Sequence, residues 1–167
     1  LIERAKQWAR GGLFVIPIYV DGLRLTAPIT SDQIYVFILR RIEEWIAPLL
    51  GDKGLSINPH SDQLPLQPFA ARLAQQIQYI YTSNHRPQII VLFDEVEPVL
   101  NYNWGQGFFT NWRALLNNEP EVSPYISAVF AGGLEMFQLI RDVGSPLGNI
   151  LRWQELSLFS SEDTALL

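Results

Sequence analysis

Ile89-Ile90-Val91-Leu92-Phe93-Asp94-Glu95 runs through five consecutive apolar residues and ends in two adjacent carboxylates. Branched and aromatic side chains favour an extended backbone. Apolarity on both faces marks a strand inside a parallel sheet, covered by helices on each side. Gln88 to Phe93 is therefore the predicted central strand, and the rest of the chain is read outward from it.

Upstream, Leu13 to Val20 is a second strand candidate. Pro17 lies inside it and has no N–H for a ladder bond, which places this strand at a sheet edge. Asp21-Gly22 turns the chain. Leu1 to Arg10 reads as the end of an amphipathic helix closed by Gly11-Gly12. Thr30 and Gln33 are spaced as a capping box. The helix they open carries Ile34, Phe37, Ile38, Ile42, Trp45, Ile46 and Leu49 on one face, with Pro48 and Gly51 limiting its end. Gly51 to Pro65 is a polar loop. A helix from about Pro68 to Ser83 turns Phe69, Leu73, Ile77 and Ile80 or Tyr81 inward.

Downstream, Asn101 to Gly107 reads as a loop rich in aromatics and amides, and Phe108 to Asn117 as a short helix. Tyr125 to Ala131 is another buried strand, broken by Gly132-Gly133, and Leu134 to Arg141 is helical. Gly144-Ser145-Pro146 makes a turn, Leu151 to Phe159 alternates like a strand, and Ser160 or Ser161 caps a last helix. Strands that alternate with helices define an α/β class with a parallel sheet in a single domain spanning 1–167.

Composition narrows the function classes. With 48% hydrophobic and 17% charged residues the chain can bury a core and is not of the disordered class. The net charge is −5 and no basic cluster exceeds Arg40-Arg41, so nucleic-acid binding by this segment is disfavoured. Without cysteine there is no disulfide framework or thiolate metal site. No apolar stretch approaches the roughly 20 residues of a membrane span. The expected setting is cytoplasmic, without a membrane partner.

Apolar strand, helix, apolar strand ending in Asp-Glu, helix, apolar strand ending in small residues: this order resembles the additional-strand P-loop NTPases. Within them it looks most like the signalling ATPases called STAND and the archaeal-type AAA+ ATPases. Ile89 to Glu95 is similar to their Walker B strand. Ser127-Ala128-Val129-Phe130-Ala131-Gly132-Gly133 is similar to the sensor-1 strand and its exit. Gly144-Ser145-Pro146-Leu147-Gly148-Asn149 and Leu156-Ser157-Leu158-Phe159-Ser160-Ser161-Glu162 are similar to a later turn, strand and helix start. The resemblance spans nearly the whole chain, and order and spacing carry most of its weight.

The resemblance implies a sheet of order 5-1-4-3-2 and binding of ATP with Mg²⁺ in the intact protein. Asp94 would hold Mg²⁺ through a water, Glu95 would orient or deprotonate the attacking water, and Gly132 and Gly133 would face the nucleotide. Nothing upstream reads Gly-x-x-x-x-Gly-Lys-Ser/Thr, the phosphate-cradling loop, and the sequence begins at Leu1. The expectation is an incomplete core, with its first strand and phosphate loop missing and the strands near Tyr125 and Leu156 deprived of a shared neighbour.

Bland readings stand beside these. An apolar run ending in Asp-Glu can simply close a buried strand. Glu97 reads as a solvated turn residue, and Arg113 and Arg141 as solvated helix charges. Asp21 is a weaker candidate for orienting the site. The sensor-1 exit carries Ala131-Gly132-Gly133 where many relatives carry Asn, Thr or Ser, which points to backbone N–H substitution or to slow hydrolysis. His60 and His85 lack partners at metal-ligand spacing. Ser160 and Ser161 have no nucleophile elbow around them. Tyr102, Trp104, Phe108, Phe109 and Trp112 read as core before partner surface.

The leading expectation is part of an ATP-hydrolysing regulatory switch that acts on an effector domain in the same chain or through homo-oligomers. The alternatives are a non-catalytic α/β interaction module that has lost nucleotide binding, and a DNA-associated archaeal-type ATPase with a basic domain beyond this segment.

Overall fold

The quoted run forms β2 (Arg86–Asp94), which lies between β1 (Leu13–Asp21) and β3 (Ile126–Phe130) in a parallel sheet of order β1-β2-β3. The computed structural model describes residues 13–24, 29–50, 64–82, 85–142, 144–152 and 154. Among the described residues β1 lies at an edge of the sheet, where Pro17 is tolerated.

Register sets Ile16 beside Ile89, Ile18 beside Val91 and Val20 beside Phe93, with Ile126, Ala128 and Phe130 completing the rows. Alternate residues of a strand share a face, so these rows form one apolar layer. Ile16, Ile89 and Val91 have no exposed surface at all. On the other face Tyr19 and Val129 are exposed and Ile90 and Leu92 half-buried, so the cover from the described helices lies on the Phe93 side.

That cover is built by α1 (Ser31–Leu50), α2 (Leu66–Thr82) and α4 (Gly105–Asn118). The capping box is present: Thr30 N–H donates to Gln33 Oε1 at 2.9 Å, and Gln33 N–H to Thr30 Oγ1 at 3.4 Å. Ile34, Ile38, Ile42 and Ile46 are buried as the periodicity requires. Phe37 is exposed instead, because α1 turns its Tyr35 and Leu39 side inward. Tyr35 stacks on Phe69 of α2 at 4.6 Å and reaches Phe108 of α4 at 6.2 Å. In α2, Ile80 faces the core and Tyr81 is exposed.

Two connections differ from the sequence reading. A short helix α3 (Glu97–Leu100), not expected from the sequence, precedes the 101–107 loop, and α4 begins inside that loop at Gly105. A Cβ at Gly105 would overlap the Val99 carbonyl, so only glycine lets α4 start there. Tyr125 closes a 3₁₀ turn (Ser123–Tyr125) and is not part of β3. After β3 comes α5 (Leu134–Arg141), and then a turn that buries Leu147. Leu151, Arg152 and Gln154 are not in a strand; the helix expected over 1–10, most of the 51–65 loop, the rest of the 151–159 strand and the Ser160 or Ser161 cap lie outside the described residues. No helix among the described residues is long and apolar enough to cross a membrane.

Candidate functional site

Parallel strands deliver their C-terminal ends to one edge of the sheet, the edge at which open α/β sheets bind ligands. Here that edge gathers Asp21 from β1, Asp94 and Glu95 from β2, and the Ala131-Gly132-Gly133 exit of β3. Register places Asp21 directly beside Asp94. Ladder bonding continues past the strands: Ala131 N–H donates to the Phe93 carbonyl at 2.7 Å, and Val96 N–H to the Ala131 carbonyl at 3.3 Å.

Asp94 is half-buried and held on both oxygens. The Tyr19 hydroxyl donates to Oδ2 at 2.7 Å, and the Glu95 N–H donates to Oδ1 at 3.1 Å. Tyr19 stands beside Leu92 in register, so it reaches Asp94 as a diagonal neighbour on the same face. An ionised carboxylate has about four lone-pair sites, so Asp94 keeps acceptor capacity beyond these two bonds.

Glu95 is exposed, and its backbone lies in the left-handed region at φ 50°. A non-glycine residue there costs about 1–2 kcal/mol, which the surroundings must offset. The chain is pinned on both sides of it, by the Val96 bond to Ala131 and by Gly22. A Cβ on Gly22 would overlap the Glu95 carbonyl oxygen and approach the Asp94 carbonyl oxygen to 2.8 Å. The Asp21-Gly22 turn therefore packs against the backbone of the carboxylate pair. Asp21 itself serves that turn, with Oδ1 accepting the Leu23 N–H at 3.0 Å.

Glu97 is not the solvated turn residue its sequence context implied. It is half-buried, and its Oε1 accepts the N–H of Gly133 across the gap between β2 and β3. Its Oε2 is buried without a hydrogen-bond partner among the described residues. Gly132 and Gly133 thus do lie beside the β2 end, but one of their amides is already engaged by the chain's own carboxylate. Tyr19 and Glu97 are the two contributors that sequence reasoning missed. Only Glu97 left a signal: a carboxylate in the first turn of a helix, immediately before a proline, where the helix dipole favours it.

The other candidates separate from this edge. The His85 ring packs against Phe14 at 5.7 Å, and His60 lies outside the described residues. Phe108, Phe109 and Trp112 are core, while Tyr102 and Trp104 stack at 5.0 Å and are half-buried. Arg141 is exposed and lies over the Phe137 ring at 4.7 Å. A cleft of about 740 Å³ between α2 and the segment before β3 is lined by Gln78, Tyr81, Glu121 and Tyr125, and by none of the strand-end carboxylates.

Among the described residues no group of three or more His, Cys, Asp or Glu side chains is arranged to hold a metal ion. Mg²⁺ fits here only in its sparse mode, with one carboxylate acting through water and the remaining ligands coming from phosphate and solvent. Asp94, oriented and with acceptor capacity left, suits that mode. No family model matches the sequence, and comparison with curated proteins and with solved structures returns no match.

Proposed function

We propose that this chain is part of an ATP-binding, ATP-hydrolysing regulatory domain of the P-loop type, a nucleotide-dependent switch. The observation that carries the reading is the Asp94-Glu95 pair at the end of the middle parallel strand, with Gly132-Gly133 tied in beside it. The order β1-β2-β3 also corresponds to three neighbouring strands, 2, 3 and 4, of the 5-1-4-3-2 sheet that the sequence resemblance implies.

In this reading Asp94 takes the metal side and Glu95 the water side. Mg²⁺ bound with ATP would offset charge on the β- and γ-phosphates. Asp94, whose two oxygens are aimed by the Tyr19 hydroxyl and the Glu95 N–H, would hold the ion through a water. Glu95, next along the backbone and exposed, orients or deprotonates the attacking water. Gly132 and Gly133 offer backbone to the nucleotide. The switch acts on an effector domain of the same chain or through self-association, in the cytoplasm.

The test is Glu95→Gln in the intact protein. Turnover falls at least about 100-fold while ATP affinity is retained, because a positioned base contributes about 10²–10⁴ to rate. Unchanged turnover removes Glu95 from the mechanism.

One observation favours a second reading, a non-catalytic α/β interaction module. The Gly133 amide is satisfied by Glu97 from within the chain, as it would be in a fold with no nucleotide to receive. Absence of ATP binding by the intact protein would select that reading.

A further inference from the structure

The chemistry proposed for Asp94 and Glu95 leaves Glu97 without a role, yet Glu97 makes a long-range side-chain contact at this end of the sheet. It opens α3 on one side and reaches the N-cap residue of α5 on the other, 36 positions away. The seat is shaped for it. A Cβ on Gly132 would stand 2.7 Å from Glu97 Oε1 and 2.9 Å from the Met136 Cβ, and a Cβ on Gly133 would stand 3.3 Å from the same Oε1. Two glycines in succession thus leave room for a carboxylate that any larger residue at position 132 would push out.

The arms on either side are fixed by backbone. Val96 N–H donates to the Ala131 carbonyl, and the Asn101 side-chain amide donates to the Glu97 carbonyl at 3.3 Å. The carboxylate therefore reaches Gly133 from a settled base and does not swing on a loose loop. Its hold is incomplete, because Oε2 is buried with no donor among the described residues. A buried carboxylate oxygen that lacks a hydrogen bond is costly. The seat suits an anion, since Gly133 begins α5 and the partial positive charge of a helix N-terminus faces it. It nevertheless satisfies only half of the anion that fills it.

We infer that Glu97 is an intramolecular latch, a carboxylate that occupies the Gly133 N–H and must withdraw before a nucleotide phosphate oxygen can take its place. The inference rests on the nucleotide reading above and adds a resting state to it. One N–H cannot serve two acceptors at full strength, and two anions at one helix start repel each other. The protein without nucleotide is thereby held in a self-satisfied, low-affinity form. Binding exchanges an internal anion for an external one, and the released Glu97 frees α3 from the exit of β3.

Two variants of the intact protein test this, with MgATP titration and amide hydrogen exchange at Gly133 as readouts. Glu97→Ala removes the acceptor: Gly133 exchange rises at least about tenfold, and ATP binds about tenfold tighter. Glu97→Gln keeps an acceptor for Gly133 and loses only the charge, so Gly133 stays protected, the fold is preserved, and ATP binds tighter by a smaller factor. ATP binding that is unchanged or weaker in both variants overturns the latch and leaves the nucleotide reading standing. Wild type and both variants all failing to bind MgATP, with Gly133 protection lost only in Glu97→Ala, overturns both and leaves Glu97 as a clamp between α3 and α5.

Discussion

Phe93 is the last apolar residue before the carboxylate pair, and replacing it with leucine tests whether the aromatic layer beneath the site holds β2 in place. The ring is 3% exposed. It meets Trp112 edge-on at 5.0 Å, Phe108 edge-on at 5.6 Å and Phe130 face to face at 5.0 Å with planes 5° apart. Each aromatic pair contributes about 0.5–1.5 kcal/mol beyond its buried area, so three independent pairs would total about 1.5–4.5 kcal/mol. The three share one ring and are not independent, and leucine retains most of the buried area. The expected loss is therefore near the lower end, about 2 kcal/mol. For a domain of this size that lowers the melting temperature by about 4–8 °C. Urea denaturation followed by circular dichroism measures the loss directly. Val129→Ala, half-exposed on the opposite face, is the control and should shift stability by less than about 0.5 kcal/mol. If Phe93→Leu behaves like that control, the ring packing is not what fixes the end of β2.

Two other perturbations address the neighbourhood of the site. Gly22→Ala would set a Cβ 2.7 Å from the Glu95 carbonyl carbon and 2.8 Å from the Asp94 carbonyl oxygen; backbone cannot rotate aside, so a loss of about 1–3 kcal/mol in a urea titration is expected, and an unchanged midpoint would refute the close approach. Burial pushes the Tyr35 hydroxyl up from 10.0 to about 12, with Asn111 acting in the opposite direction and the Asp32 charge adding to the rise. The unfolded tyrosine ionises first, so the stability it contributes is whole below pH 10 and is lost as pH rises towards 12, at about 1.4 kcal/mol per pH unit. Tyr35→Phe should flatten the alkaline branch of a stability–pH profile over that window, and a branch as steep as wild type would refute the assignment.

The parts of the fold legible in sequence were those set by local pattern. Pro17 placed β1 at an edge because a missing N–H is a fact of one residue. Thr30 and Gln33 announced α1 because their two bonds close within one turn. The run from Ile89 to Phe93 declared a buried strand because nothing polar interrupts it. Illegible features depended on partners remote in the chain. Gly105 opens α4 because the Val99 carbonyl leaves no room for a Cβ, a contact absent from any periodicity. Phe37 and Tyr35 exchanged roles because Phe69 and Phe108 arrive on one side of α1. Glu97 looked like turn chemistry until β3 delivered Gly133 to it.

The same distinction bears on the two adjacent carboxylates, which the sequence presents as equals. At Asp94 the constraint falls on the side chain, with one oxygen fixed by Tyr19 and the other by the next amide. At Glu95 it falls on the backbone: a left-handed φ of 50°, a carbonyl packed on Gly22, and a following N–H tied to Ala131. The Glu95 side chain is left exposed. A group that holds a metal-bound water gains from a fixed direction, because the orientation does not have to be recovered at each turnover. A group that aims or takes a proton from water needs reach and an oxygen not already committed to a donor. Exchanging the roles would ask Asp94, with each oxygen already aimed by a donor, to reach for a water, and would ask an exposed side chain without a fixed direction to order a cation. On the proposed reading, the division of labour between Asp94 and Glu95 would follow from where the fold applies its constraints, independently of the order in which the two residues stand.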